Sequence, residues 1–211
     1  MSLFVTGTNT DVGKTYVTRL ILEGLRQEGV DAVGYKPISC GGLEDSEILA
    51  EASGGLDVDL VNPVQLQNAV APHVACMLEN REIDLQELVD GYRKLADEHD
   101  VVLIEGAGGW EVPISAELSM SDLAKELGLP VLLITANQLG AINHTLLTVQ
   151  AIQSKGLSCA GIVLNQLEDE LDTAMITNKG VLAELSGVPL LDHLIHDKDF
   201  IDDEVLTCAK G

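Results

Sequence analysis

Basic residues are scarce in this chain of 211 residues. Twelve lysines and arginines stand against thirty-four aspartates and glutamates, which gives a formal net charge of −22. A protein this acidic repels nucleic acid and anionic membranes unless a local basic patch overrides the net charge. The sequence contains no such patch, so we expect neither nucleic acid nor a membrane as a partner.

Long apolar runs and paired cysteines are also missing. The apolar runs are short and interrupted, as in PVLLITA from Pro130, and no basic segment precedes the first predicted strand. Neither a membrane span nor a signal peptide is therefore predicted, and we expect a cytoplasmic protein. The cysteines are scattered without the spacing of a zinc site or a redox motif, so we expect reduced thiols at Cys40, Cys76, Cys159 and Cys208.

Apolar, β-branched runs alternate with segments of helical spacing along the chain. Such near-continuous apolar strands are typical of a parallel sheet covered on both faces, and the pattern predicts one three-layer α/β/α domain over residues 1–211. The acidic segment HDKDFIDDEV near the end is expected to be loosely held. The predicted strands are Leu3–Thr6, Ala32–Tyr35, Val101–Ile104, Val131–Thr135 and Gly161–Leu164. The predicted helices are Lys14–Glu28, Asp84–Glu98, Ser121–Leu127, Ile142–Lys155 and Thr173–Leu185.

The segment GTNTDVGKT follows the first predicted strand and leads into an amphipathic helix. Free backbone N–H groups and the positive end of a helix bind a polyphosphate at such a junction, which predicts a phosphate-binding loop. Five residues separate Gly7 from Gly13, one more than the usual pattern has, but the Gly-Lys-Thr end is intact. Lys14 would reach the β and γ phosphates and Thr15 would bind Mg²⁺. The alternative is an ordinary glycine-rich turn.

Two further strand ends carry candidate residues. The third apolar run ends in Glu105 and continues into a glycine cluster, which predicts a carboxylate that engages magnesium; the alternative is a solvated surface residue. Lys36 follows the second strand, and Pro37 favours an extended backbone there. Lys36 is either a solvated lysine or one of two cations that stabilise a transferred phosphoryl group. The second cation would be Lys14, on what we expect to be a neighbouring strand end.

The helix after the fourth predicted strand starts in LGAINHTLLT. Residues 140–143 would present free backbone N–H groups there, which suit an anionic ligand. The alternative is a plain capped helix.

The motifs FVTGTNTDVGKT, GYKPI, SEILA, APHVA, VLIEGAGGWEVPI, LGAINHTLLT and GIVLNQ resemble, in order over about residues 3–166, the landmarks of the dethiobiotin synthetase family. The resemblance implies a P-loop NTPase-like fold. It also implies ATP-dependent carboxylation of 7,8-diaminopelargonate with CO₂ or bicarbonate, followed by ring closure to dethiobiotin in biotin synthesis. Mg²⁺ as cofactor, ATP as co-substrate and a homodimer are further implications.

The same resemblance implies roles for individual residues. Lys36 and Lys14 would be catalytic, stabilising the carbamate and the migrating phosphoryl group. The implied nucleotide contacts are Asp11, Val12, Gly13, Lys14, Thr15, Tyr16, Glu105, Gly106, Ala107, Gly108, Asn165 and Gln166, of which Asn165 would recognise adenine. The implied substrate contacts are Thr10, Cys40 and, from the partner subunit of the dimer, Gly140, Ala141 and Asn143. The implied magnesium ligands are Thr15, Glu47 and Glu105.

The chain departs from the family pattern in three places. Cys40 stands where the family often has serine or threonine, which is a stronger hydrogen-bonding partner. The third magnesium ligand is usually aspartate, whereas the aligned residue is Glu47, and Asp45 is the alternative. The segment PLLDHLIHD lacks the usual glycine and proline of the last adenine-contacting segment, so nucleotide selectivity is open.

Two other functions fit the same architecture. One is a partition-type or division-type switch ATPase. Such a protein would carry an additional lysine early in the phosphate loop, whereas this chain has Thr8 and Asn9 there. It would often also carry a basic membrane helix, whereas the C-terminus of this chain is acidic. A non-catalytic nucleotide-binding module is the other alternative, which the departures at Cys40 and Glu47 leave open.

Overall fold

A computed structural model describes residues 2–211. Its centre is a six-stranded parallel sheet with the strand order β2-β5-β1-β6-β7-β8. A two-stranded parallel sheet, β3-β4, lies beside it. The strands are β1 (Leu3–Gly7), β2 (Ala32–Tyr35), β3 (Ile38–Cys40), β4 (Val64–Leu66), β5 (Val101–Gly109), β6 (Val131–Ala136), β7 (Cys159–Asn165) and β8 (Leu190–Leu194).

Nine helices are found in residues 2–211. They are α1 (Lys14–Gln27), α2 (Glu44–Ala52), α3 (Val58–Val61), α4 (Pro72–Glu79), α5 (Leu85–Glu98), α6 (Met120–Leu127), α7 (Ala141–Ser154), α8 (Thr173–Leu185) and α9 (Asp203–Lys210).

Both faces of the central sheet are covered, as the apolar strands predict. Successive side chains of a strand point to opposite faces, so Leu3 and Val5 join one buried cluster while Phe4 joins the other. The first cluster includes apolar residues of α1, α2 and α9, and the second includes residues of α4, α5, α6 and α7. The predicted three-layer α/β/α architecture is therefore confirmed.

The five predicted strands and five predicted helices are all present, with ends shifted by a few residues. The largest shift is in β5, which continues through the glycine cluster to Gly109. The short strands of the second sheet, helices α2 to α4, strand β8 and helix α9 were not predicted from periodicity. Three-residue strands are too short to show alternation, and β8 is interrupted by Asp192 and His193.

The expectation of a loosely held C-terminal segment is wrong. Val205, Leu206 and Ala209 of α9 are buried in the same cluster as α1. A Cβ atom placed on Gly24 of α1 would lie 3.0 Å from a Leu206 methyl carbon, so the two helices are in close contact.

The expectation that Lys14 and Lys36 follow neighbouring strands is also wrong. Lys14 follows β1 and Lys36 follows β2, and β5 lies between these two strands. The carboxyl ends of parallel strands meet at one edge of a sheet, so Glu105 of β5 is placed between the two lysines.

No helix formed by residues 2–211 is both long enough and apolar enough to cross a membrane.

Candidate active site

The phosphate-loop segment joins β1 to α1 and is fixed by backbone geometry. Thr8 N–H donates to the Ile134 carbonyl of the neighbouring strand at 3.0 Å. Gly13 has φ 86°, in the left-handed region that favours glycine, and a Cβ atom there would lie 2.2 Å from Asn165 Nδ2. Both the conformation and the space therefore require glycine at the residue before Lys14.

Glu105 is the centre of the site and is fully buried. Its Oε1 accepts hydrogen bonds from Thr15 Oγ1 at 2.7 Å and from Lys36 Nζ at 2.9 Å. Its other oxygen, Oε2, is buried with no hydrogen-bond partner among residues 2–211. A buried carboxylate oxygen without a donor is costly, which indicates that this oxygen serves a ligand.

Lys36 is held by its backbone and by two carboxylates. Its N–H donates to the Val61 carbonyl at 2.8 Å, and its carbonyl accepts from Asn62 Nδ2 at 2.6 Å. Its ammonium group forms ion pairs with Glu105 and Asp45. Burial lowers the pKa of Lys36, but the two carboxylates outweigh burial and the pKa is raised, so Lys36 is charged at neutral pH.

Lys14, in the first turn of α1, is buried at the same site with a different balance of charges. Burial lowers its pKa; Glu105 opposes this effect and the Lys36 charge adds to it, and the pKa is lowered overall. A cation placed in this way is stabilised by additional negative charge, which a polyphosphate supplies.

A cavity of about 810 Å³ opens beside these groups. Lys14 and Lys36 both line it, so the two cations share one compartment. Its walls come from the phosphate loop, β3, the start of α2, the segment before α4 and the end of β5. The lining residues with a predicted role are Thr10, Asp11, Gly13, Lys14, Thr15, Tyr16, Lys36, Cys40, Ala107 and Gly108, and Asp45 is also among them.

The Cys40 thiol on this wall is protonated at neutral pH. Burial raises the pKa of Cys40 to about 11, and the neighbouring Cys76 and Glu79 add to the effect. Cys40 and the other three cysteines are free thiols, so no disulfide closes this part of the structure.

Two of the candidate metal ligands, Glu47 and Asp45, differ in position although both lie in the first turn of α2. Asp45 lines the cavity and pairs with Lys36. Burial raises the pKa of Asp45, but the charge and hydrogen bond of Lys36, together with Thr15 and Lys14, outweigh burial and the pKa is lowered. Both residues are exposed, but Glu47 does not line the cavity. The geometry therefore places Thr15 and Asp45 on the cavity wall, with the buried Glu105 behind the wall in a hydrogen bond with Thr15, and leaves Glu47 off the wall.

The donor set fits Mg²⁺. The free oxygen of Glu105, the Thr15 hydroxyl and the Asp45 carboxylate are the hard oxygen ligands that this ion prefers. No group of three or more histidine, cysteine, aspartate or glutamate side chains that could hold a metal ion exists within residues 2–211. Magnesium sites at nucleotides usually use only one or two carboxylates, with phosphate and water as the other ligands. A magnesium site with Glu105 and Asp45 is therefore compatible with the absence of a larger ligand cluster in the described part of the chain.

The residues expected at the nucleobase lie on the side of the phosphate loop that faces away from the cavity. Asn165 Nδ2, at the end of β7, donates to the Val12 carbonyl at 3.0 Å. Gln166 N–H donates to the Leu194 carbonyl of β8 at 2.8 Å. Neither residue lines the cavity. Gly106 also lies outside the cavity wall, packed against Phe4.

The start of α7 is separate from the cavity. Gly140 is the N-cap residue with φ 95° and is exposed, Ala141 is buried and Asn143 is exposed. None of the three lines the cavity of the same chain. Two exposed leucines flank the helix start, Leu139 with 82% and Leu147 with 58% exposure.

One contact of the phosphate loop was missed by the sequence analysis. Tyr16 Oη donates to the Lys198 carbonyl at 2.5 Å. The two residues are 182 positions apart, and no local pattern around Lys198 indicates that it approaches the loop.

The strand-loop-helix junction, the paired lysines and the oxygen ligands define a P-loop nucleotide-binding protein. Solved structures agree on this fold: the cell division protein FtsY of Thermotoga maritima has a TM-score of 0.58 at 16% identity, covering 100% of this chain and 68% of that one. A ParA family ATPase of Chlorobium tepidum has a TM-score of 0.58 at 14% identity, covering 99% of this chain and 89% of that one. At such identities the likeness concerns the fold alone.

Sequence relatives define the family more closely. Residues 1–198 match a family model described as an AAA domain. The ATP-dependent dethiobiotin synthetase of Akkermansia muciniphila is 48% identical over 206 residues, covering 97% of each chain. That of Methanocaldococcus jannaschii is 40% identical over 173 residues, covering 79% of this chain and 80% of the relative. This chain belongs to the ATP-dependent dethiobiotin synthetase family.

Proposed function

We propose that this protein is an ATP-dependent dethiobiotin synthetase, a ligase of biotin synthesis. One amine of 7,8-diaminopelargonate adds to CO₂ and loses a proton, giving a carbamate. A carbamate oxygen attacks the γ-phosphorus of ATP and displaces ADP. The second amine then attacks the activated carbonyl carbon and displaces phosphate, which closes the cyclic urea. The convergence of Lys36, Glu105 and Thr15 beside the phosphate loop is the observation that supports this proposal most strongly.

Lys36 and Lys14 are the proposed catalytic residues. Both ammonium groups face one cavity, where they compensate the charge that a carbamate and a transferred phosphoryl group bring together. The reaction needs positioning and charge compensation but no covalent nucleophile on the protein. The carboxylates of buried Glu105 and half-exposed Asp45 keep Lys36 protonated for this role.

Thr15, Glu105 and Asp45 are the proposed magnesium ligands. When bound, the ion would neutralise phosphate oxygens and hold the γ-phosphate in place. Asp45 takes the position that the sequence analysis gave first to Glu47, because Asp45 reaches the cavity and Glu47 does not.

The nucleotide and the diamine occupy different sides of the phosphate loop in this proposal. Residues 11–16 and 105–108 surround the phosphates, and Asn165 and Gln166 lie at the nucleobase end. Thr10 and Cys40 contact the diamine in the cavity. Gly140, Ala141 and Asn143 bind its carboxylate in a homodimer, in which the helix start completes the site of the other subunit. Their separation from the cavity of their own chain and the exposed leucines beside them support this arrangement. A cytoplasmic location stays a prediction.

The experiment is a product assay with labelled bicarbonate. Purified protein, Mg-ATP, 7,8-diaminopelargonate and ¹³C-bicarbonate should give labelled dethiobiotin by mass spectrometry and an equal amount of phosphate. Omitting the diamine or the bicarbonate should stop phosphate release. ATP turnover that is indifferent to both compounds would contradict the proposal and favour a switch ATPase.

A further inference from the structure

Lys198 is the centre of a partly buried ion cluster outside the cavity. Its Nζ lies 3.0 Å from both carboxylate oxygens of Asp192 on β8 and 2.7 Å from Asp202 Oδ1 at the start of α9. Asp202 N–H also donates to Asp192 Oδ2 at 3.1 Å. The Asp192 side chain is 1% exposed and that of Lys198 is 10% exposed, so this pair is far better shielded than a surface ion pair, whereas the Asp202 side chain is 48% exposed.

The cluster closes a short turn after β8. Lys198 N–H donates to the Ile195 carbonyl at 3.1 Å, and Asp197 has φ 59°, a left-handed conformation that aspartate tolerates better than most residues. The Lys198 side chain then fastens the end of this turn to the strand before it and to the helix after it. The ion pairs of Lys198 therefore connect residues 195–198 both to β8, through Asp192, and to the start of α9, through Asp202.

The turn also contacts the phosphate-binding segment. The Lys198 carbonyl accepts the Tyr16 hydroxyl at 2.5 Å, and Tyr16 is in the first turn of α1, next to Thr15. Tyr16 is further packed under the Arg19 guanidinium, whose carbon lies 5.2 Å from the ring centre. The position of the turn relative to the triphosphate site thus depends on one tyrosine and one lysine.

The family resemblance implies that residues 189–197 contact the nucleobase, and two observations support placing that end of the nucleotide beside this turn. The cavity that holds Lys14 and Lys36 occupies one side of the phosphate loop, so the rest of a nucleotide extends to the other side, where Asn165 contacts Val12. On that side the side chains of Leu167 and Ile195 are 43% and 54% exposed and offer apolar surface to a flat base.

We propose that Lys198 is a positioning residue for the nucleobase end of the nucleotide: its ion pairs with Asp192 and Asp202 hold the turn 195–198 against Tyr16. The inference rests on the proposed function in taking ATP as the nucleotide. Lys198 does not touch the reacting atoms, and it acts through the backbone of the turn.

The test compares the binding of Mg-ATP with that of magnesium tripolyphosphate by isothermal titration calorimetry, without the diamine. Tripolyphosphate occupies the phosphate loop alone, so the ratio of the two affinities measures how much the ribose and nucleobase contribute to ATP binding. Tyr16→Phe and Lys198→Met should each weaken ATP binding about five- to tenfold, as expected for the loss of one hydrogen bond of ordinary strength. Tripolyphosphate binding should change by less than about twofold, because both substitutions keep the backbone N–H groups at the start of α1, including that of Tyr16, which we expect to face the phosphates.

Lys155→Met is the matched control. Lys155 pairs with the partly buried Asp122 at 2.7 Å, outside the cavity and the phosphate loop. Its replacement should leave both affinities unchanged. Lys198→Met leaves Asp192 buried without its cation and can unfold the protein; Tyr16→Phe removes the contact without burying a charge, so it decides the test in that case.

Equal weakening of both ligands by Tyr16→Phe, or no weakening of ATP, overturns the inference. A wild-type protein that binds tripolyphosphate as well as ATP also overturns it, because the base then makes no favourable contact. None of these readouts requires turnover. A protein that shows the expected ratios but forms no dethiobiotin therefore contradicts the proposed function and leaves the role of Lys198 standing.

Discussion

Lys36 Nζ lies 2.9 Å from Glu105 Oε1, and this same oxygen accepts the Thr15 hydroxyl. Lys36 directly follows β2, Glu105 lies in the middle of β5 and Thr15 lies in the first turn of α1. One buried carboxylate thus connects the proposed phosphoryl-transfer lysine to the phosphate-binding helix. The predictions below test the parts of this arrangement separately.

Gly13→Ala should abolish nucleotide binding while the protein remains folded. The alanine methyl group would collide with Asn165 Nδ2, and φ 86° is strained for any residue with a Cβ atom. Calorimetry with Mg-ATP measures the loss, and circular dichroism checks the fold. Gly29→Ala is the control, because a Cβ atom there meets no atom within 4 Å at a similar φ of 84°. Equal effects of the two variants on ATP binding would show that backbone strain alone is responsible.

Asp45→Asn and Glu47→Gln form a matched pair that tests the third magnesium ligand. Asp45→Asn should raise the Mg²⁺ concentration for half-maximal turnover by about tenfold or more, because a ligating carboxylate is lost. Glu47→Gln should leave this concentration unchanged, since Glu47 does not line the cavity. The readout is a magnesium titration of phosphate release. The reverse result would restore the original assignment to Glu47.

Alkylation of Cys40 should be slow at neutral pH and rise steeply with alkalinity. The thiolate is the reactive form, and the Cys40 thiol has its pKa raised to about 11 by burial. Labelling by iodoacetamide should therefore increase about tenfold per pH unit up to that range. Mass spectrometry of the peptide that contains Cys40 measures the rate. A plateau reached below pH 9 would contradict the burial of this thiol on the cavity wall.

The phosphate loop, the apolar strands and the strand-end residues could be predicted from local patterns because each depends on neighbouring residues. The order of the strands could not. Periodicity does not reveal that β5 lies between β1 and β2, and this placement is what positions Glu105 between Lys14 and Lys36.

Long-range contacts between polar residues were hidden for the same reason. The choice between Asp45 and Glu47 depends on which way the first turn of α2 faces. The contact from Tyr16 to Lys198 depends on how the last strand and helix return to α1. The acidic composition of the C-terminal segment indicated loose structure, but the shielded ion pair of Lys198 with Asp192 and the apolar face of α9 hold the segment in place.

The most direct test of the central claim is Lys36→Ala, with the exposed Lys94→Ala as control. Lys36→Ala should lower kcat for dethiobiotin formation by about 10²–10³-fold, the loss expected when a group that compensates transition-state charge is removed. The Kd for Mg-ATP should stay within about threefold of the wild-type value, because the phosphate loop is intact. Turnover that remains normal at saturating substrate, with only nucleotide binding weakened, would contradict the role proposed for Lys36.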